Sequence, residues 1–290
     1  MPFRFKKSES PTKAVRRVCR ERVGVALGCL RKSDRPEAVH GARKEIKKLR
    51  AIFRLVRGEV GLGAYRKNMK ALRTAADCLA TARDARVLLK AFEKLTGNSA
   101  RKFTGIKTAL QENARREARQ FRENNSVAQA DRLLRKTRRR MGNLKIGASG
   151  WVAIEPGLKL SYACGRDGYR LACEKPAPEN FHEWRKHVKD FWYYFCLLHP
   201  IWPAATRAKT DELALLGEQL GEDHDLFLLQ EFTAKHCAAQ AMELKLLNQL
   251  ITSHQKKLRS AAMKFGAQFY AESPARFCRR LGCGPVTGNL

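Results

Sequence analysis

Three observations predict an all-α chain built by duplication. Apolar residues recur at helical spacing along most of its length, no alternating strand pattern of any length occurs, and one helix face appears twice, 142 residues apart. The first copy reads VHGARKEIKKLR from Val39 and the second FHEWRKHVKDFW from Phe181. In register, His40 aligns with His182, Arg43 with Arg185, Lys44 with Lys186 and Lys47 with Lys189. A matched segment follows each copy, LATARDARVLL from Leu79 and LGEDHDLFLL from Leu220, and it aligns Asp84 with Asp225. The interval from His to Asp is 44 residues in one half and 43 in the other. Twice the repeat distance nearly spans the 290 residues, so the duplication is predicted to account for almost the whole chain.

Taken in order, the periodicity predicts a helix over 11–31, then the first motif helix, opened by Ser33, Asp34 and Pro36. Helices follow over 64–80, 83–95, 99–123 and 126–141. The stretch 142–156, with GASG and an isolated Pro-Gly, reads as a connector between a first half, 1–141, and a second, 157–290. The second half opens with a helix over 157–172. Pro178, Glu179 and Asn180 introduce the second motif helix, and Pro200 and Pro203 end it. Helices over 204–219, 223–236 and 238–270 complete the chain. Each apolar run meets a breaker within three heptads, which favours short bundled helices over a long coiled coil.

Each motif helix carries two adjacent rows. The apolar seam of the first is Val39, Ala42, Ile46, Leu49, Phe53 and Val56; that of the second is Phe181, Trp184, Val188, Phe191, Phe195 and Leu198. One position further along runs a polar stripe of His40, Arg43, Lys47, Arg50, Arg54 and Arg57. Successive residues differ by about 100°, so the stripe flanks the buried seam rather than opposing it, and it extends roughly 25 Å. Cations in that position line a groove or channel between helices. Further basic rows occur at Arg66, Lys70 and Arg73 and at Arg115, Arg119 and Arg122.

The charge balance points the same way. Lys and Arg number 58 against 28 Asp and Glu, a formal charge of +30, which favours phosphate polymers or anionic surfaces as partners. With 44% apolar residues at helical spacing, a folded core is expected rather than a disordered polycation. The nine cysteines are scattered with no C-x-x-C pair, which fits a reducing cytosol better than a disulfide framework. No apolar run approaches the ~18 residues of a spanning helix, and the eight-residue VGVALGCL reads as core, so an intracellular protein without membrane insertion is expected.

Arg offers phosphate a planar fork, Lys a compact charge with three donors, and His a donor that a nearby anion switches on. His40 and His182 also suit helix N-terminal residues meeting a backbone carbonyl. Asp84 and Asp225 fit two roles equally, orienting a stripe cation or capping a helix. Catalytic signatures are sparse. HEWRKH from His182 resembles H-E-x-x-H, but its second His lies about 140° around the helix. Glu222, Asp223 and Asp225 form an acidic cluster that leaves open a cation site and a metal-dependent enzyme. Neither a nucleotide-binding loop nor an activated nucleophile is recognisable, so no catalytic residue, metal site or cofactor is expected.

These residues resemble the CHAD family, the conserved histidine α-helical domain. The likeness spans nearly the whole chain: H-x-x-R-x-x-x-K-(R/K)-x-R at His40–Arg50, the shorter match at His182–Lys189 with Tyr193 following, and the Arg-Asp and His-Asp segments after Leu79 and Leu220. GLKLSYACGRDGYRLA, from Gly157, resembles the helix that opens the family's second half. The resemblance implies two pseudo-twofold-related helical bundles of four-helix type around a basic central channel that binds inorganic polyphosphate. It also implies a cytoplasmic location on polyphosphate granules, and a binding module rather than an enzyme, since the E-x-E-x-K motif of the triphosphate-tunnel enzymes attached to some members is missing. The contacts so expected are His40, Arg43, Lys44, Lys47, Arg50, Arg54, Arg83, His182, Arg185, Lys186, Lys189 and His224, with Lys159, Tyr162 and Arg166 added and Asp84 and Asp225 as orienting acids. Asp190 and Trp192 stand where the family pattern suggests cations, and Ala80 where it has Gly, so a weaker grip by the second half is expected. A nucleic-acid ligand is the competing reading, since it draws on the same electrostatics.

Overall fold

A computed structural model of the chain describes residues 3–31 and 36–282, and within them there is no β-strand. The helices are α1 (Pro11–Arg31), α2 (Pro36–Leu55), α3 (Leu62–Asp77), α4 (Thr81–Thr96), α5 (Thr104–Glu123), α6 (Ser126–Gly142), α7 (Glu155–Glu174), α8 (Pro178–Leu198), α9 (Pro203–His236), α10 (Ala241–Phe269) and α11 (Pro274–Gly282). Short 3-10 turns precede α5 and α7. Five of these helices open on proline, whose missing N–H costs nothing where the first turn has no acceptor to offer. The Ser33–Asp34 cap expected for α2 lies outside the described residues.

Both predicted seams are core. Val39, Ala42, Ile46, Leu49 and Phe53 of α2 and Val56 just beyond it are buried, as are Phe181, Trp184, Val188, Phe191, Phe195 and Leu198 of α8. Each large side chain fully withdrawn from water stabilises the fold by roughly 1.5–3 kcal/mol, so these rows dictate how α2 and α8 lie. α2 packs on α1, α3, α7 and α8, while α8 packs on α7 and α9. Neither of two buried apolar clusters is confined to one half. The larger joins both motif helices, and the smaller brings Leu88, Phe92 and Leu110 of α4 and α5 against Leu226, Leu229, Leu247 and Ile251 of α9 and α10.

Two expectations about elements fail. The helices predicted over 204–219 and 223–236 are one, α9, which runs unbroken through Gly217 and Gly221. A helical glycine costs about 1 kcal/mol relative to alanine, which packing along α8 and α10 readily offsets. The short α11 was not foreseen. Its Phe277 stacks on Tyr162 of α7 at 4.0 Å between ring centroids, and that contact gives a nine-residue helix a place to dock. The connector is held rather than slack: Arg16 Nε donates to the Leu144 carbonyl at 2.6 Å and the Ala148 amide to Glu59 at 2.8 Å.

α7 crosses α2 at close range. A Cβ on Gly157 would lie 1.9 Å from the Leu55 carbonyl oxygen, a backbone atom that no rotamer change can move. Gly157→Ala is therefore expected to cost at least about 1–3 kcal/mol, read as a lower denaturation midpoint at unchanged m-value. A midpoint equal to that of the parent would show that the crossing can relax.

Candidate functional site

Because the stripe flanks the seam, burying the seams of α2 and α8 draws their cations together. A cavity of ≈ 270 Å³ opens between α2, α4, α8 and α9. α2 contributes Arg43, Lys47, Arg50 and Arg54; α8 contributes His182, Arg185, Lys186, Lys189, Asp190 and Tyr193. Asp84 and Val87 come from α4, and His224, Asp225 and Leu228 from α9. Seven lysine and arginine side chains thus face three aspartates. The duplication is visible in the lining: Arg43 with Arg185, Lys47 with Lys189, Asp84 with Asp225, and the apolar pair Val87 and Leu228 occupy equivalent positions.

Crowding leaves its mark on these groups. Burial pulls Lys189 below the usual lysine range; Arg185 and Lys44 pull it further, against Glu218. Arg50 is lowered by burial and then by Arg54, with Asp190 opposing. His182 is lowered by burial and next by Lys186 and Arg185, which together favour its neutral form. Its ring lies 3.9 Å from that of His224, centroid to centroid. The buried His182 Nδ1 and Arg50 Nε find no hydrogen-bond acceptor among the described residues. Half-buried cations that destabilise one another's charge make a site that an anion would stabilise.

Individual cations are held in different ways. Arg43 donates to the Ala76 carbonyl in the last turn of α3, which also accepts the Leu79 amide. Arg54 meets Asp190 at 2.7 Å. Arg185 and Lys189 lie along a bare strip of α9: a Cβ on Gly221 would come 3.1 Å from Arg185 Nη2, and one on Gly217 3.0 Å from Lys189 Nζ. Lys189 also sits 4.7 Å over the Trp192 ring, so that tryptophan supports a cation instead of replacing one.

Several expected contacts are placed elsewhere. His40 and Lys44 are exposed and outside the cavity lining, although the charge of Lys44 reaches Lys189. The Arg83 side chain lies outside the described residues. Lys159 is exposed on α7. Tyr162 is wholly buried among aromatic rings and donates its hydroxyl to the Phe269 carbonyl at 2.8 Å. Arg166 donates to the Glu272 carbonyl at 3.1 Å. Those last two fasten α7 to the end of α10 and to the segment before α11, and neither they nor Lys159 reaches the cavity. Helix capping is ruled out for both aspartates, since Asp84 lies inside the first turn of α4 and Asp225 well within α9.

The acidic cluster disperses. Glu222 binds Lys94 at 2.6 Å and His254 at 2.9 Å. Burial raises its pKa, but those two partners outweigh burial and leave it lowered. Asp223 is buried against Arg259 at 2.7 Å, and only Asp225 faces the cavity. No group of three or more His, Cys, Asp or Glu suited to a metal ion occurs among the described residues. None of the described helices is long and apolar enough to cross a membrane. Sequence reading missed Val87 and Leu228, although their position one helical turn beyond each aspartate was available as a signal.

The sequence model of the CHAD domain matches residues 12–234, and the chain belongs to that family. The fold is similar to PptA from Streptomyces chartreusis (TM-score 0.66, 12% identity, covering 89% of this chain and 99% of that one). It is also similar to the CHAD domain from the plant Ricinus communis (TM-score 0.61, 16% identity, covering 100% of this chain and 99% of that one). No curated protein matches the sequence.

Asp190 makes the site's charge measurable. Burial pushes its carboxyl up to about 6, against the pull of Arg54 and Arg50. An acid raised in the folded state binds more protons there than when unfolded, so its contribution to stability declines as pH rises from its ordinary value through about 6. Asp190→Asn should remove that decline. Relative to the parent, the variant should gain stability between pH 4 and 7 by on the order of a few kcal/mol. A stability difference that stays constant over this range would contradict the assignment.

Proposed function

We propose that this chain binds inorganic polyphosphate in the cavity between α2, α4, α8 and α9, as a binding module without chemistry of its own. The observation that carries this reading is the convergence of duplicated cations, Arg43 with Arg185 and Lys47 with Lys189, on one half-buried cavity. The family resemblance supplies the ligand, and with it an association with polyphosphate granules in the cytoplasm.

The physical account is short. The scaffold has already overcome the repulsion among these side chains, so an entering polyanion relieves it and displaces counterions from both partners. Arg43 and Arg185 present guanidinium forks to phosphate oxygens, while Lys47 and Lys189 act as point charges. The aspartates limit the attraction; Asp190 in particular holds Arg54 away from the ligand. Base recognition is poorly served, because a nucleic acid needs exposed rings for stacking. The motif aromatics Phe53, Phe181, Trp184 and Phe191 are all buried in the seams, and so is the cavity's Tyr193.

Replacing Arg43 and Lys47 by Glu reverses two charges at the centre of the site. Polyphosphate affinity measured at fixed salt should fall at least about 100-fold while circular dichroism stays unchanged. Retained affinity would refute the site. A second expectation concerns pH. Because burial and neighbouring cations lower His182, phosphate nearby must raise it, and binding then takes up a proton. Affinity should therefore grow as pH falls through about 6.5, and His182→Ala should flatten that dependence. An equally steep profile in the variant would remove His182 from the site.

A further inference from the structure

Arg115, Arg119 and Arg122 of α5 take no part in the cavity lining, and two of them border a separate opening. A groove of ≈ 510 Å³ runs between α4 and α5, with Val39 near the start of α2 against it. Leu89 of α4 and Ala114, Ala118 and Phe121 of α5 give it an apolar floor. Arg86, Lys90, Arg115 and Arg122 give it a basic rim. Past Phe121 and Arg122 the opening continues as a second groove of ≈ 620 Å³, bounded by the end of α1 and the start of α6. There Leu30 and Val127 extend the floor, and Arg31 and Arg132 the rim. On α5 alone the lining runs from Gln111 to Arg122, about 16 Å of helix.

Floor and rim together select the occupant. Among the described residues, the acids of the two grooves are Glu93 and Asp131, and Asp131 is already held by Arg135 at 2.5 Å. A phosphate polymer suits the rim but sets its charges against Leu89, Ala118 and Phe121. A second copy of this chain, itself at +30, brings like charge to a basic rim. A flat bilayer does not follow a floor recessed between helices, where Phe121 is 8% exposed and Leu30 2%. An amphipathic helix with acidic flanks satisfies both surfaces. Its apolar side chains, three and four residues apart, meet the floor, and its Asp and Glu meet the rim.

We infer that the groove between α4 and α5, with its extension toward α6, docks an acidic amphipathic helix of a partner protein. The floor fixes the register of that helix, while the rim steers its approach and rejects basic helices. The inference does not depend on the polyphosphate reading, because no residue of either groove lines the cavity. With the cavity occupied as proposed above, the chain would join a phosphate polymer to a second protein.

The test uses three synthetic peptides of about 18 residues, roughly 27 Å as a helix, titrated into the full chain at fixed ionic strength. The first carries one Leu face flanked by Glu. The second has the same composition shuffled so that no face is apolar, and the third has the Leu face flanked by Lys. The first should bind at least about tenfold tighter than the second, and the third more weakly than either. Ala114→Glu with Ala118→Glu charges the floor and should bring the first peptide down to the level of the second. Arg115→Ala with Arg122→Ala, at exposed positions, should weaken it at least about fivefold with circular dichroism unchanged. Lys256→Ala with Lys257→Ala on α10, outside both grooves, and the cavity variant Arg43→Glu with Lys47→Glu should each stay within about twofold of the parent. Equal affinity for the first and second peptides, or a first-peptide affinity that neither groove variant moves, overturns the inference. So does a loss confined to the cavity variant. Phosphatidylglycerol vesicles that bind through the groove while the first peptide shows no preference would assign it to a bilayer and overturn it as well. Failure of polyphosphate to bind the parent leaves it untouched.

Discussion

Like charges have to be held together against their own repulsion, and every feature of the cavity depends on how that is done. The work falls to the apolar seams. Trp184, Phe181, Phe191 and Phe195 on one helix and Ile46, Leu49 and Phe53 on the other are withdrawn from water, and their packing fixes the neighbouring stripes. The side chains that suffer from this arrangement, Lys189, Arg50 and His182, are those whose charge burial and neighbouring cations disfavour. An enforced excess of positive charge in a small space with few acids is an arrangement already suited to an anion.

The two motif helices bring equivalent residues to this site without being identical. In the first half the chain breaks between α3 and α4, and the Ala76 carbonyl in the last turn of α3 receives Arg43. In the second half α9 runs through unbroken, and Gly217 and Gly221 leave a bare strip along which Lys189 and Arg185 lie. Equivalent arginines are thus positioned once by a helix end and once by missing side chains. The cavity takes four cations from α2 and three from α8, and its two adjoining histidines, His182 and His224, come from the second half alone. Asp190 tempers the second half, but through Arg54 of the first, so the weaker grip expected from sequence is better described as one ion pair shared between halves.

Much of this was legible in the sequence, for physical reasons. Helical spacing identifies a seam without knowledge of its partner, and the adjacent row must then border whatever the seam packs against. That logic reached Arg43, Lys47, Arg50 and Arg54, and the repeat carried it to Arg185 and Lys189. It failed where the answer depends on a distant segment. Tyr162 and Arg166 look like phosphate ligands until carbonyls in the 269–272 stretch, far along the chain, turn out to accept their hydrogen bonds. Glu222, Asp223 and Asp225 look like a cluster until the helix sends them to Lys94, Arg259 and the cavity. His40 belongs to the stripe by period, yet it sits at the end of α2 beyond the reach of the cavity. The unbroken α9 was hidden because two glycines suggest a turn, whereas packing along a long helix outweighs their cost.

The central claim is that the cavity accepts an inorganic phosphate polymer rather than polyanions in general. A competition titration at one fixed ionic strength measures this directly, with labelled long-chain polyphosphate displaced in turn by unlabelled polyphosphate, RNA, duplex DNA and heparin. On this account unlabelled polyphosphate displaces the label at a concentration at least about tenfold lower, per unit charge, than any other competitor, because only a chain without bases or sugar rings enters so small a space. Equal displacement by all four, per unit charge, would contradict it and reduce the protein to a general cationic surface.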